Sequence, residues 1–430
     1  MSPTQPVSAL GGIPFLVIMV VKVIVVFVSV ITTVAFMTLL ERWISAWIQD
    51  RLGPNRVGPK GLFQPLADGL KNFVKEETYP DQASRFYFVM APMLSMIPAM
   101  ITFAVIPFAS PLPTPWGLVD MVVADLPIGI LYILALTSLG VYGIVMAGWS
   151  SNNKYSLLGG MRASAQMVSY EVALGLALIP VFMLAGNVTL TGIISMQQQM
   201  HLWYAFPLGL AFFLFIVASF AECNRLPFDL PEAEQELVAG FHAEYSSMKF
   251  AMFMIAEYSN MLTASALMAT LFLGGWDIPL WQGDNMWLGP AGIVGATPAW
   301  WKTLLTFGSF ATKTAFFVFL FMWVRWTVPR FRYDQVMHLG WKVMLPTALA
   351  FIGLTGTSIL VLDSLGVPYG LVYGLAMTAV NVVAMVAFFW ILDRDRVIAG
   401  AEGYERRVRI AEAHARGMRV PPPVTQHAGD

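Results

Sequence analysis

Nine long apolar runs determine the fold class of this chain. A helix needs about 20 apolar residues to cross the hydrocarbon core of a bilayer. Charged residues make up only 12% of the 430 residues, against roughly 25% in a soluble domain. The sequence therefore predicts an all-α, polytopic membrane protein with about nine transmembrane helices. The expected spans are residues 14–40, 86–110, 126–149, 162–186, 204–221, 248–274, 303–325, 343–362 and 369–392.

The positions of Lys and Arg predict the orientation of these spans. All sixteen arginines lie in five segments, residues 41–85, 150–162, 222–247, 325–342 and the tail from 393. The alternate connections contain neither Lys nor Arg, and they comprise residues 111–125, 187–203, 275–301 and 363–368. Since connections rich in Lys and Arg remain in the cytoplasm, we expect an outside N-terminus and a cytoplasmic C-terminus.

Two segments are predicted to lie outside the spans. In residues 61–76, apolar side chains such as Leu66 and Leu70 recur at helical spacing, while Asp68 and Lys71 take the other face. This segment is too short and too charged to cross a bilayer, so we expect an amphipathic helix along the cytoplasmic interface. Residues 1–392 then form the membrane domain. The tail, 393–430, is basic and then Pro-rich, and is expected to begin as a surface helix and end disordered.

The chain offers few residues that could hold a redox centre. Its one cysteine, Cys223, excludes disulfides, thiolate-held zinc and iron–sulfur clusters within the chain. None of the five histidines falls inside an apolar run, which argues against haem. We therefore expect no cofactor or metal bound by this chain, and no basic patch indicates nucleic acid. The N-terminus lacks Lys and Arg, and its long apolar run predicts a retained first span rather than a cleaved signal.

Several ionisable residues fall inside the predicted spans. Glu171 and Glu257 each lie beside a tyrosine, and Lys313 and Lys22 are further examples. A charge at the centre of a bilayer costs about 2.5 kcal/mol or more, so such residues usually face the bundle interior or a polar path. The two glutamates are candidates for a chain of carboxylates that passes protons. Pairing with a lysine, or reaching to the interface, remains the alternative.

An unusually acidic connection follows the fifth expected span. Between residues 222 and 244 there is a single Arg225 against six carboxylates, Glu222, Asp229, Glu232, Glu234, Glu236 and Glu244. The sequence "DLPE" fits a capping box in which Asp229 caps a short helix and Glu232 reaches back. Capping explains two of the six acids and leaves four. A solvated acidic surface is the alternative to a functional role.

Three segments resemble a known family closely. They are "GPNRVGPKGLFQPLADGLKNFVKE" (53–76), "NRLPFDLPEAEQELVAGFHAEYSSMKFAMFMIAEY" (224–258) and "VPRFRYDQVMHLGWKVMLP" (328–346). Together they are similar to the H-type subunit of bacterial proton-pumping NADH–quinone oxidoreductase, respiratory complex I, and to its mitochondrial counterpart. The likeness covers roughly residues 14–362. It implies a subunit of a proton-translocating enzyme in the bacterial cell (inner) membrane, which docks the hydrophilic arm and forms much of the quinone chamber.

The resemblance also implies roles for individual residues. The quinone entrance would lie among residues 14–40, 61–76 and 248–274. The residues implied at the chamber and entrance are Glu41, Arg42, Arg51, Phe63, Asp68, Arg225, Glu244, Arg325 and Arg330. Those implied in the proton path and its coupling are Glu171, Glu222, Asp229, Glu232, Glu234, Glu236 and Glu257. No residue of this chain is expected to be catalytic.

The implied partners are the hydrophilic-arm subunits at the quinone site, neighbouring small membrane subunits, quinone and lipid. Flavin and iron–sulfur clusters would be held by partner subunits. Quinone reduction would change the charge balance in the chamber, and the acidic connection would transmit that change to the membrane carboxylates.

The sequence departs from the family pattern at two points and leaves rival functions open. Trp43 stands where the family usually has a second basic residue after Glu41 and Arg42, and Cys223-Asn224 replaces the usual Thr-Asn. The nearest rival is a homologous anchor of a hydrogenase or of a ferredoxin- or deazaflavin-linked complex. A free-standing transporter would predict an internal repeat, which the sequence does not show. A purely structural anchor would not need Glu171 and Glu257.

Overall fold

The computed structural model is built almost entirely of helices. It describes residues 12–229, 240–278, 281, 283–284, 286–289, 292–295 and 297–415. For residues 12–14, 286–289, 292–295 and 394–415 it describes the backbone alone. The expected all-α, polytopic class is confirmed.

Twelve α-helices follow one another within the described residues. They are α1 (Gly12–Ile48), α2 (Gln64–Val74), α3 (Arg85–Ile101), α4 (Gly129–Ser150), α5 (Lys154–Ala185), α6 (Leu190–Met200), α7 (Gly209–Glu222), α8 (Ser247–Phe272), α9 (Trp300–Thr327), α10 (Tyr333–His338), α11 (Leu345–Ser364) and α12 (Leu371–Ala415). A wide π-helical turn, Leu339–Met344, joins α10 to α11. Short 3-10 turns occur at Pro59–Gly61 and Thr102–Val105.

Seven helices in the described part of the chain are long and apolar enough to cross a membrane. They correspond to seven of the nine expected spans. The fifth, 204–221, contains α7, whose 14 residues are fewer than a perpendicular crossing needs. The sixth, 248–274, forms the 26-residue α8, where Glu257 and Asn260 lower the hydropathy. Both helices pack inside the bundle, where α7 contacts α5 and α12, and α8 contacts α3 and α9.

The connections meet at two opposite ends of the bundle. At the arginine-bearing end, Phe331 N donates to Pro227 O at 3.1 Å and Thr78 N donates to Ser246 Oγ at 3.1 Å. At the other end, which we call the outer end, Lys22 Nζ donates to Val122 O at 2.9 Å. The connections rich in Lys and Arg are therefore in mutual contact, as the charge distribution predicts.

Close helix packing in the bundle depends on small residues. A Cβ added at Gly143 of α4 would lie 2.8 Å from the carbonyl oxygen of Ala91 in α3 and would also meet Ser95 Oγ. A Cβ at Gly148 would lie 2.6 Å from the carbonyl oxygen of Ser156 in α5. Glycine at these crossings lets backbones approach, as membrane helix interfaces commonly require. The three helices α3, α4 and α5 therefore form one tightly packed block.

The outer connections contain structure that the apolar runs did not predict. Residues 187–203 include α6, which begins at Leu190 and is capped by Thr189, whose side chain accepts a hydrogen bond from Gly192 N. Two short antiparallel hairpins pair Leu112–Thr114 (β1) with Gly117–Val119 (β2) and Met286–Gly289 (β3) with Gly292–Gly295 (β4). These elements satisfy backbone groups that would otherwise lack partners at the end of the bundle.

Candidate functional site

A buried group of five side chains lies where α1, α8 and α9 approach the acidic connection. Its members, which we call the Glu41 cluster, are Glu41, Arg225, Glu257, Tyr258 and Arg325. Glu41 and Arg225 are each almost fully buried, with 5% and 6% of their surface exposed. Four of the five are residues implied by the family resemblance, although they are as much as 284 positions apart in sequence.

Arg225 joins the two carboxylates of the Glu41 cluster. Its Nη1 lies 3.0 Å from Glu41 Oε1, and its Nε lies 2.6 Å from Glu257 Oε1. The Nε–H is not directed at an acceptor, so the contact with Glu257 is an ion pair rather than a hydrogen bond. The guanidinium also stands over the ring of Tyr258, 4.4 Å from its centroid. The Arg225 guanidinium therefore interacts electrostatically with both Glu41 and Glu257.

Glu41 has further partners on its other side. The hydroxyl of Tyr258 donates to Glu41 Oε2 at 2.5 Å, and the guanidinium of Arg325 forms a hydrogen-bonded ion pair with Oε1. Buried charges are tolerated only when opposite charges and hydrogen bonds compensate them. Two carboxylates against two guanidiniums balance here. The side chain of Arg325 is one-third exposed, so the cluster reaches the surface at that residue.

Gln166 of α5 holds the segment that carries Arg225. Its Nε2 lies within hydrogen-bond distance of Ala221 O, Asn224 Oδ1 and Phe228 O, at 3.0, 3.1 and 2.9 Å. The amide has two protons, so it can serve two of these acceptors at once. The side chain is fully buried. Gln166 therefore fixes the start of the acidic connection against α5.

Glu171 and Glu222 form a second acidic site in the interior. Glu171 accepts a short hydrogen bond from Ser138 of α4, and Glu222, at the end of α7, lies near Thr137 of the same helix as Ser138. The two carboxylates are close enough to interact electrostatically. A cavity of about 40 Å³, lined by both Glu222 and Glu257, connects this site to the Glu41 cluster. A cavity of that size has room for water beside its two carboxylates.

Two of the ion pairs outside these buried groups involve residues implied by the family resemblance. Arg42 Nη1 lies 2.7 Å from Asp68 Oδ2, which links α1 to the amphipathic helix α2. The α2 residues Leu66, Leu70 and Phe73 leave 64–75% of their surface uncovered by the rest of the chain. The second pair joins Arg330 Nη2 to Asp229 Oδ2 at 3.3 Å.

Several residues implied by the resemblance lie apart from the Glu41 cluster. Arg51 is exposed and donates to Gln49 Oε1 at 2.6 Å. Phe63 is 58% exposed beside α2, and Glu244 accepts from Asn153 Nδ2 at 2.7 Å. The short helix expected after Asp229 lies outside the described residues, together with Glu232, Glu234 and Glu236. The roles suggested for all these residues stay predictions.

Sequence reasoning missed three side chains that the structure places at these sites. They are Tyr258, Ser138 and Gln166, which contact Glu41, Glu171 and the acidic connection. Tyr258 directly follows Glu257, so a tyrosine adjacent to a buried acid was a usable signal. Ser138 and Gln166 give no such signal, because a Ser or Gln in an apolar run acquires a partner only when helices pack.

Lys313 is matched with acids at the outer end. Its Nζ donates to the carbonyl oxygens of Leu273, Gly275 and Asp277, the first two at 2.7 and 3.0 Å, and neutralises the C-terminal end of α8. Asp284 is fully buried and accepts from Ile278 N at 2.7 Å. Burial raises the pKa of Asp284 to about 6, and burial likewise raises the pKa of Asp277 despite Lys313. These carbonyl oxygens and carboxylates offset the energetic cost of placing Lys313 inside a helix long and apolar enough to span the membrane.

Comparison with known proteins shows which family this chain belongs to. The family model described as NADH dehydrogenase matches residues 21–356, which include every described residue of the Glu41 cluster. The chain belongs to this family. It is 52% identical over 361 residues to the first of the H-type NADH-quinone oxidoreductase subunits of Geobacter sulfurreducens, covering 81% of this chain and 97% of that protein.

Further relatives bear the same description. The H-type subunit of NADH-quinone oxidoreductase from Leptospira biflexa is 48% identical over 337 residues, which cover 76% of this chain and 91% of that protein. An H-type subunit from Cytophaga hutchinsonii is 47% identical over 348 residues, covering 81% of this chain and 98% of that protein. As a member of the family, the chain is a membrane subunit of an NADH-quinone oxidoreductase. Residues beyond 356, including α12, lie outside the match to the family model.

Proposed function

We propose that this chain forms much of the quinone chamber of its NADH-quinone oxidoreductase, docks the hydrophilic arm and couples quinone reduction to proton translocation. The observation that carries the proposal is the Glu41 cluster, a buried charge-balanced group formed by α1, α8, α9 and the start of the acidic connection. The matching family and relatives identify the enzyme. The Glu41 cluster supplies a site whose electrostatic balance would respond to a nearby change of charge.

The quinone entrance in this proposal lies among α1, α2 and α8. The ion pair between Arg42 and Asp68 fixes α2 against α1, while the uncovered apolar face of α2 suits contact with lipid and with an isoprenoid tail. Quinone reduction consumes protons at its head group. A head group near Glu41 and Arg325 would therefore alter the balance of two acids and two guanidiniums.

Arg225 is the proposed coupling element. Because it contacts both Glu41 and Glu257, weakening one pair strengthens its attraction to the other carboxylate. Glu257 in turn borders the cavity that reaches Glu222, and Glu222 interacts with Glu171. The proposed path thus runs from the chamber through Glu257 and Glu222 to Glu171, with water in the cavity as the connecting proton carrier.

The remaining parts of the enzyme belong to partner subunits in this proposal. Flavin and iron–sulfur clusters would deliver electrons from the hydrophilic arm, which docks on the arginine-bearing end in the cytoplasm. Asp229, paired with Arg330, starts the acidic connection at that surface. The N-terminus would lie outside, and neighbouring small membrane subunits would continue the proton path beyond Glu171.

The decisive experiment is Glu257→Gln in the intact complex, assayed in membrane vesicles. We expect assembly to persist because glutamine keeps the size of the side chain, and NADH:ferricyanide activity to persist because it reports the arm alone. Quinone reduction and the pH gradient should both fall by an order of magnitude. Glu257→Asp should restore part of both, and the exposed Asp81→Asn, outside the proposed entrance, should change neither. Normal quinone reduction and pumping in Glu257→Gln would show that the Glu41 cluster is only structural.

A further inference from the structure

A large groove separates α11 from α12 at the arginine-bearing end. It encloses about 1250 Å³, more than the roughly 300–1,000 Å³ of a typical small-molecule pocket. Its deep limit lies near Leu210 of α7. There Asn381 of α12 accepts from Leu210 N at 3.0 Å and donates to Phe206 O at 2.9 Å. The α12 helix is therefore fastened to the bundle at the foot of the groove and stands apart from α11 above it.

The groove changes from polar to apolar along its length. One wall is a stripe with a residue every four positions, in which Asp334, His338 and Lys342 lie towards the mouth and Ala350 and Leu354 lie towards the foot. The facing wall on α12 is apolar throughout, and consists of Ala384, Ala387, Phe388, Ile391 and Leu392. Such a gradient suits a ligand with a polar head and long hydrocarbon chains.

Basic side chains are concentrated at the mouth of the groove. Arg330, His338 and Lys342 line it, against one carboxylate, Asp334. His338 and Lys342 are exposed. Arg330 binds Asp229 through Nη2, while its buried Nε has no hydrogen-bond partner among the described residues. Three cationic or titratable donors with spare capacity favour a phosphate over the uncharged head group of a quinone.

The mouth also lies at the right depth for a lipid head group. Phe331 N donates to Pro227 O, which places this segment among the connections of the arginine-bearing end. Trp326 and Trp341 are exposed nearby, at 38% and 52%, and tryptophan is enriched where membranes meet water. Basic pockets between transmembrane helices at this level bind anionic lipid head groups.

We propose that the groove between α11 and α12 is a binding site for an anionic phospholipid. Its phosphate would be held by Arg330, His338 and Lys342, and its acyl chains would fill the space against Ala350, Leu354 and Phe388. Since α12 follows the residues that match the family model, this lipid joins the added helix to the family core. The site is separate from the Glu41 cluster, so the proposal stands or falls independently of the proposed function.

The test uses the intact complex in nanodiscs of phosphatidylcholine, with traces of phosphatidylglycerol that carries a photoactivatable diazirine on one acyl chain. Mass spectrometry of the irradiated complex locates the labelled peptides. We expect labelling of α11 and α12, and much weaker labelling by the matching phosphatidylcholine probe. His338→Gln with Lys342→Gln should reduce the phosphatidylglycerol signal by at least about fivefold, since each cation near the surface contributes attraction to anionic lipid.

Two further variants complete the test. The matched control, Lys154→Gln, removes an exposed lysine of the same end outside the groove and should leave labelling unchanged. Ala350→Trp fills the groove while keeping every charge, and should also reduce labelling. Equal labelling by the phosphatidylcholine probe, or full labelling of the double variant, would overturn the proposal, as would displacement of the probe by added ubiquinone. The double variant changes only exposed side chains and so tests the site without depending on Ala350→Trp folding.

Discussion

Arg225 lies 3.0 Å from Glu41, and both side chains are buried although 184 positions separate them. Removing one partner of a buried ion pair leaves an uncompensated charge, which destabilises by about 3–5 kcal/mol. Arg225→Met should therefore prevent accumulation of the assembled complex. Arg225→Lys keeps the charge but lacks the planar fork, so we expect assembly with reduced quinone reductase activity. Native gel electrophoresis of membranes measures assembly, and the exposed Arg162→Met serves as control. Normal assembly of Arg225→Met would contradict the cluster's charge balance.

Tyr258→Phe separates the hydrogen bond to Glu41 from the ring that Arg225 covers. The phenyl ring keeps the cation–π contact, while Glu41 loses its 2.5 Å hydroxyl donor. A hydrogen bond to a charged group contributes about 1.5–3 kcal/mol. We expect the complex to assemble, with quinone reductase activity lowered roughly tenfold and ferricyanide reduction unchanged. Tyr142 is 66% exposed, so Tyr142→Phe should match the parent protein. Equal activity in the two variants would assign the Tyr258 hydroxyl no part in the site.

Gly143 and Gly140 offer a matched pair on one helix. A Cβ at Gly143 would lie 2.8 Å from Ala91 O, whereas a Cβ at Gly140 would meet nothing within 4 Å. Gly143→Ala should therefore force α3 and α4 apart and destabilise by about 1–3 kcal/mol. Gly140→Ala should be neutral or slightly stabilising, because alanine favours a helix over glycine. The measurement is the temperature at which each purified variant complex aggregates irreversibly. Similar temperatures would show that the crossing adapts.

Asp284 should make the outer connection sensitive to pH. Burial raises its pKa from 3.8 to about 6, so the folded state binds more protons than the unfolded state between these values. The resulting stabilisation is fully present below pH of about 4 and is lost as the pH rises through about 6. Asp284→Asn keeps an acceptor for Ile278 N and cannot titrate.

Hydrogen exchange at the amide of Ile278, corrected for the intrinsic rate, measures this effect. Protection should fall between about pH 4 and about pH 6 in the parent protein, level off above that, and stay flat throughout in Asp284→Asn. The exposed Asp81→Asn should behave like the parent. The same slope in Asp284→Asn would assign the pH dependence to Asp277 or to another group.

Several helices extend beyond the apolar runs that predicted them. The first span was expected to end at residue 40, whereas α1 continues to Ile48. Residues such as Glu41 and Ala46 are buried there by other helices, not by lipid. In the same way, α5 begins at Lys154 rather than at residue 162. Hydropathy detects contact with lipid and gives no measure of burial against protein.

In the candidate site, too, some residues could be found from the sequence, whereas their partners depend on how the helices pack. An acid within an apolar run is conspicuous, so Glu171 and Glu257 could be found from the sequence. Their partners could not, because Ser138 reaches Glu171 across 33 positions and Arg325 reaches Glu41 across 284. Pairing over such separations depends on how the helices cross. The family resemblance supplied Glu41, Arg225 and Arg325, which spacing alone would not have joined.

Because α7 is short, the membrane potential can act on a charge at its end. Its 14 residues extend about 21 Å, roughly 9 Å less than the hydrocarbon thickness of about 30 Å. If this shortfall falls at the Glu222 end, Glu222 lies about a third of the way through the voltage drop. A full crossing is worth about 2.3 kcal/mol per charge at 100 mV. A proton that reaches Glu222 through water would then already have exchanged about 0.7 kcal/mol with the field, before any helix moves.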